Sequence, residues 1–182
     1  MRNSILFLFS ISLLLNSCGP KINSEQQNNL ELLTAKVDSI VNEVNTLDSV
    51  ALMDLTNDFF DRKNYLQRQV SDTIAPELIF KIDSFIQLRK GMGFIRGEFS
   101  PIKTEANILK QQLEDLSHDV DNRLVEEKQF DRYFELEKNN FDELSIAYQQ
   151  LSVSIELVTK KYNLLAPGID SFIEDYKARI ND

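Results

Sequence analysis

Apolar residues recur at alternating spacings of three and four along most of this chain, and this pattern restricts the fold more than any other feature. The longest run has 19 such positions between Ile102 and Leu165, of which 16 are apolar and three are Arg123, Glu127 and Glu137. This spacing places the apolar side chains on one face of an α-helix, as in the seam of a coiled coil. The chain has no tryptophan and few glycines or prolines, and its 182 residues suit one domain. We therefore expect an all-α protein.

Two earlier segments show the same spacing. Ser24 and Gln27 have the form of a capping box, and apolar residues follow at helical spacing from Leu30 to Ala51. No Gly or Pro occurs between residues 25 and 71, which predicts one helix over 25–71. A turn is expected at 71–75, with Pro76 as the first residue of a second helix.

Two polar or glycine-rich stretches divide the part of the chain that follows Pro76. Gly91, Gly93, Gly97 and Ser100-Pro101 predict a kink or a short break, with Ser100 as a helix cap. The long seam from 102 to 165 is compatible with one helix or with a hairpin at 119–122.

Segment lengths favour the hairpin. It gives three nearly equal segments, 25–71, 76–119 and 122–165, which is what an elongated up-down-up three-helix bundle with coiled-coil-like seams requires. Ala166-Pro167-Gly168 is expected to end the third helix and to leave a short C-terminal helix.

The N-terminal segment has another character. After Arg2, an apolar stretch of about eleven residues runs from Ile5 to Leu15, too short to span a bilayer as a permanent helix but typical of a secretory signal. It ends in Leu15-Asn16-Ser17-Cys18, which resembles the lipobox of bacterial lipoproteins, with Asn16 where Ala or Ser is usual. The alternative is an ordinary signal peptide followed by an unrelated thiol.

The resemblance implies cleavage before Cys18 and attachment of diacylglycerol to its sulfur. It divides the chain into a signal peptide (1–17), a lipidated tether (18–24) and a helical bundle domain (25–182). Because Cys18 is the only cysteine, the lipidated chain would have no thiol for a disulfide, a metal site or a nucleophile. Gly19 is not the Asp that retains some lipoproteins in the inner membrane, so the resemblance favours an outer-membrane lipoprotein facing the periplasm. A Gram-positive surface lipoprotein is the alternative.

Charge and chemistry narrow the function further. Without residues 1–17 the chain keeps 19 Lys and Arg against 29 Asp and Glu, which disfavours nucleic acid as a partner. His118 is the only histidine, and Asp115-Leu116-Ser117-His118 supplies only half of the paired carboxylate-x-x-His elements of di-iron bundles. We expect His118 to be a turn residue, and we expect no catalytic residues, no metal and no cofactor, so that the protein is not an enzyme.

One candidate ligand site follows from the predicted bundle. Antiparallel pairing about the two turns places Lys103 level with Glu137, and Asp54 level with Gly93, while Arg89 and Arg96 occupy seam positions. Arg89, Arg96, Lys103, Asp54 and Glu137 would then form a polar layer able to bind an anionic group. The favoured interpretation is structural, because long cationic side chains reach solvent from a seam and a polar layer can fix helix register.

The sequence as a whole favours a lipid-anchored, non-catalytic envelope lipoprotein that acts as a helical scaffold or protein-interaction module. Its expected partners are the membrane, through the lipid on Cys18, and a protein of the envelope, with self-association as a further option. The alternatives are a binding module for a small anionic ligand or cell-wall component, and an inhibitor or immunity-type protein. The plan of a lipobox followed by a charged bundle is similar to that of cell-wall-binding helical lipoproteins of Gram-positive bacteria, although no motif is shared.

Overall fold

The computed structural model describes residues 22–70 and 76–181, and within these ranges every regular element is an α-helix. The helices are α1 (Ser24–Thr46), α2 (Ser49–Gln69), α3 (Pro76–Ile86), α4 (Arg89–Asp121) and α5 (Glu127–Asn181). The predicted all-α class is confirmed. The predicted signal peptide, Cys18 and the turn at 71–75 lie outside the described residues.

The first helix begins one residue earlier than predicted. Asn23, not Ser24, is the cap: its Oδ1 accepts a hydrogen bond from the Gln26 amide at 2.9 Å, and Gln26 Oε1 accepts one from the Asn23 amide at 2.9 Å. The capping box is therefore present with Gln26 in place of Gln27. Ile22, assigned to the tether by sequence, is a buried member of the core.

The prediction of one helix over 25–71 is wrong, because the first helix ends at Thr46. Leu47 is extended, and the Asp48 carboxylate accepts hydrogen bonds from the amides of Val50 and Ala51 at 3.1 and 3.0 Å. Asp48 thus satisfies amides that a new helix leaves free, which is what an N-cap residue does. A helix can therefore end and restart here without any glycine or proline.

The predicted break at Ser100-Pro101 is absent. α4 continues through Pro101, and the interruption lies earlier, at residues 87–88. The buried seam alternates spacings of three and four without a slip: Phe85, Leu88, Met92, Ile95, Phe99, Ile102, Ala106, Leu109, Leu113, Leu116. The sequence interpretation placed Arg89 and Arg96 in this seam, one position too far along, which created an apparent phase change at the proline. Because the buried face is continuous, packing maintains the helix although Pro101 cannot donate a backbone hydrogen bond.

The chain does turn after α4, so a single helix over 102–165 is excluded. α4 ends at Asp121 and α5 begins at Glu127, a few residues beyond the predicted hairpin at 119–122. Arg123 has a φ of 57°, the left-handed conformation that ends helices, and Asn122 Nδ2 donates to the His118 carbonyl oxygen at 2.8 Å. His118 itself lies in the last turn of α4.

The third predicted segment does not end at Ala166-Pro167-Gly168. α5 runs unbroken for 55 residues, about 80 Å, with Pro167 inside it, so the separate C-terminal helix is wrong. The seam predicted for this segment is confirmed, with six of its members buried, and it continues past the proline. Its buried side chains are Phe130, Glu137, Leu144, Leu151, Val158, Tyr162, Ala166, Ile169, Phe172, Ile173 and Tyr176.

One apolar core joins the described helices into a helical bundle. α4 packs on α5, α1 and α2, while α3 packs on α5 and α2. The rings of Phe59 in α2, Phe85 in α3 and Tyr162 in α5 pack in sequence, with centroids 4.9 and 6.0 Å apart and ring planes tilted by 40° and 38°. Aromatic pairs at this separation add to the stabilisation from burial alone.

Candidate functional site

The structure separates the five residues of the predicted polar layer. Asp54 and Lys103 line one groove between α2 and α4, whereas Arg89 and Arg96 are exposed on α4. The Arg96 guanidinium lies 5.6 Å from the centre of the Phe60 ring, a cation–π contact on the bundle surface. Glu137 is buried in the α5 seam and accepts a hydrogen bond from Asn140 Nδ2 at 3.1 Å. The described structure therefore brings together Asp54 and Lys103 alone from this set.

The groove that contains Lys103 lies beside the break between α1 and α2. Its volume is about 440 Å³. Its lining residues are Ser49, Val50, Met53, Asp54, Phe99, Ser100 and Lys103. We call it the Lys103 groove. It is mainly apolar, with one cation and one carboxylate at its wall, so it does not concentrate positive charge.

The glycines near this level of the bundle have different surroundings. A Cβ atom on Gly93 or Gly97 would have no atom within 4 Å, so neither glycine permits a close contact. A Cβ atom on Gly91 would lie 2.4 Å from Cγ2 of Val158. Gly91 is thus the residue that lets α4 approach α5.

A polar cluster that the sequence interpretation missed joins α2 to α5. The Arg62 guanidinium binds both carboxylate oxygens of Asp170, at 2.5 and 3.2 Å, and donates to the Tyr162 hydroxyl at 2.8 Å. The hydrogen bond with Asp170 raises the pKa of Arg62 above its usual value, and burial raises the pKa of Tyr162. Arg62 lies 100 and 108 positions from Tyr162 and Asp170, so only the register between helices could have revealed the cluster.

This cluster borders a groove of about 490 Å³ whose wall also includes Asp61, Glu174 and Lys177. Lys177 Nζ lies 5.0 Å from the centre of the Tyr65 ring. Because Arg62 is already bound by two carboxylates, Asp58 and Asp170, it presents no unsatisfied charge to a ligand. The arrangement is that of an interhelical clamp, with geometric specificity from the bidentate pair.

Two further polar pairs connect α1 to its neighbours. Lys110 Nζ in α4 lies 2.5 Å from Asp38 Oδ1, and this hydrogen bond raises the pKa of Lys110. The Tyr148 hydroxyl in α5 donates to Glu43 Oε2 at 2.7 Å. Burial and then the bond with Glu43 raise the pKa of Tyr148 to about 12. Both pairs hold helices in register.

Within 22–70 and 76–181, no three His, Cys, Asp or Glu side chains are grouped so that they could hold a metal ion. None of the described helices combines the length and apolar composition needed to cross a bilayer. No family model, curated protein or solved structure matches this chain.

Proposed function

We propose that this protein is a lipid-anchored, non-catalytic envelope lipoprotein whose helical bundle acts as a scaffold or protein-interaction module. The observation that carries the proposal is the motif Leu15-Asn16-Ser17-Cys18, which precedes Ile22, a buried residue at the start of the described range, by four residues. A lipid on Cys18 would therefore hold the folded body directly beside the bilayer. Two or three acyl chains anchor a protein far more firmly than one, since each buried methylene contributes about 0.8 kcal/mol.

We further infer that the helices form three rods in up-down-up order, with α1–α2 as the first, α3–α4 as the second and α5 as the third. Support for a parallel first and third rod comes from three contacts at nearly constant sequence offset: Gln26–Asp131, Glu43–Tyr148 and Arg62–Asp170. Support for an antiparallel second rod comes from Asp38–Lys110 and Phe60–Arg96, which run in opposite orders. An elongated bundle of three such rods is suited to presenting a surface at a distance from the membrane.

The first test is the intact mass and membrane fractionation of the wild type beside Cys18→Ser. We expect the wild type to carry acyl chains and to sediment with membranes, and the serine variant to carry no lipid. The masses are compared after correction for the substitution and for any difference in signal cleavage. Equal corrected masses would show that the motif is not processed as a lipobox. Crosslinking in intact cells would then identify the envelope partner, or would return only the chain itself.

The ligand-binding alternative has less support. The Lys103 groove offers a ligand one cation beside one carboxylate, and Arg89 and Arg96 do not line it. An anionic ligand would gain little there, because Asp54 opposes the attraction of Lys103. A scaffold function requires no such pocket.

A further inference from the structure

A stripe of large aliphatic side chains faces solvent along the middle of α5. Ile146, Val153, Leu157 and Leu164 are each more than half exposed, at spacings of seven, four and seven residues. This spacing puts them on one face, opposite the buried Leu144, Leu151 and Val158. Together with the exposed Gln150 and Lys160 they occupy successive core positions of a second coiled-coil seam. We call these six residues the α5 stripe.

The order of aliphatic and polar side chains in the α5 stripe is symmetric about a point between Val153 and Leu157. If a second α5 is laid against it in antiparallel orientation, each layer is filled: Ile146 meets Leu164, Gln150 meets Lys160, and Val153 meets Leu157 of the other copy. A two-fold symmetric interface requires this kind of self-complementarity, because residue i must meet residue j while j meets i. We propose that the α5 stripe binds a second copy of this chain as an antiparallel coiled coil.

Charge distinguishes the antiparallel arrangement from the parallel one. In a parallel pair, Lys160 would face Lys160 and, at the next core position before Ile146, Glu143 would face Glu143. In the antiparallel pair, Lys160 faces the Gln150 amide and Glu143 faces Pro167, so these like charges are separated. Charged residues at core and flanking positions are what fixes orientation in coiled coils. These core positions favour the antiparallel pair, whereas the flanking Glu156 and Lys161 of the other copy would attract each other in a parallel pair, so the orientation needs its own test.

One repulsive element remains in the antiparallel pair. Glu156 flanks the stripe one position before Leu157, so the two copies of Glu156 lie on the same side close to the symmetry axis. This weakens the association without blocking it, since both side chains are exposed to solvent. It also supplies a test, because removal of the charge must strengthen the dimer.

This inference does not rest on the proposed lipid anchor, but the two restrict each other: the antiparallel pair puts the starts of the two α5 helices about 80 Å apart, so two copies anchored upright in one bilayer surface cannot form it. The test uses the chain from residue 18 with Cys18→Ser, which contains all the described residues and cannot be acylated at that position. Sedimentation velocity over a range of concentrations is expected to show a monomer–dimer equilibrium. Absence of any dimer at the highest soluble concentration would overturn the proposal while leaving the anchor untouched.

Matched variants distinguish a specific interface at the α5 stripe from nonspecific hydrophobic association. Val153→Lys and Ile108→Lys change side chains of nearly equal exposure, 55% and 53%, but Ile108 lies on α4 outside the stripe. We expect Val153→Lys to weaken dimerisation by roughly tenfold or more, since each dimer loses two aliphatic side chains from its centre. Ile108→Lys should leave it unchanged, and Glu156→Gln should strengthen it. Equal effects of the two lysine variants would refute the stripe as the interface.

Disulfide trapping determines the orientation. In the Ile146→Cys, Leu164→Cys double variant, mass spectrometry of linked peptides is expected to find residue 146 joined to residue 164. Linkage of 146 to 146 and of 164 to 164 would show a parallel pair and overturn the antiparallel register. Circular dichroism of each variant verifies that the helical content is retained.

Discussion

The contact between α4 and α5 at Gly91 allows a sharp test of the packing. A Cβ atom at this position would lie 2.4 Å from Cγ2 of Val158, well inside the range of ordinary carbon–carbon contacts. Val158 is β-branched and lies in a helix, where one χ1 rotamer dominates, so its methyl group cannot simply rotate away. Gly91→Ala must therefore separate the two helices locally or strain Val158.

Two opposing effects determine the size of the change. Alanine gains about 1 kcal/mol over glycine in a helix interior. Overpacking a well-filled contact costs about 1–3 kcal/mol. We therefore expect Gly91→Ala to lower the free energy of unfolding by about 0–2 kcal/mol.

Gly97 provides the matched control. It lies in the same helix, and a Cβ atom there would have no atom within 4 Å, so Gly97→Ala should raise the free energy of unfolding by about 1 kcal/mol. Because both substitutions gain the same helix propensity, the difference between them measures the overpacking alone. Urea unfolding followed by circular dichroism gives both values by linear extrapolation.

A second background tests the cause. With Val158→Ala already in place, the clash is removed, and Gly91→Ala should then stabilise the protein as Gly97→Ala does. A stabilising Gly91→Ala in the presence of Val158 would refute the close approach of α4 to α5. Unequal m-values among the variants would show that the unfolded or folded state had changed in extent, not in stability alone.

Two further predictions concern local contacts. Asp48→Ala removes the cap of α2 and should lower the free energy of unfolding by about 1 kcal/mol. Asp48→Asn, which can still cap the helix, is the control. An unchanged free energy of unfolding in Asp48→Ala would show that α2 does not need this cap. The pKa of Tyr148 in the folded protein, about 12, lies above the usual value near 10, so the neutral phenol favours the folded state. The contribution of Tyr148 to the free energy of unfolding is therefore complete below pH 10 and is lost as the pH rises from 10 to 12. Tyr148→Phe should make the alkaline fall in urea stability shallower, although not absent, because burial also raises the pKa of Tyr162; an identical fall in both proteins would contradict the assignment.

The sequence predicts the helical class and much of the core, because these depend on residues close to one another along the chain. The seam of α5 is visible as a period, and Phe130, Leu144 and Leu151 are buried as that period requires. Helix ends are less certain, since they depend on competition between local signals and packing. Asp48 starts a new helix within a segment that contains no glycine or proline, while α4 and α5 continue through Pro101 and Pro167 because a continuous apolar face passes through them.

The candidate site shows why a small error of phase matters. Arg89 and Arg96 were placed on the buried face, but Leu88 and Ile95 occupy it, so both arginines lie on the surface. One residue corresponds to about 100° around a helix, enough to move a side chain from core to solvent. The Arg62–Asp170 clamp requires still more, namely the register between helices that are not neighbours in sequence.

The contact between Gln26 and Asp131 places the starts of α1 and α5 at the same end of the molecule. With the proposed lipid on Cys18, that end stays at the bilayer, and the end of α5 stands about 80 Å away. The tip can then sweep a hemisphere of roughly 90 Å radius, in which one molecule corresponds to an effective concentration on the order of 1 mM. A partner fixed within that volume would be occupied even at a sub-millimolar dissociation constant, so attachment to the same membrane can compensate for weak affinity, while the length of α5 sets how far from the bilayer the protein reaches.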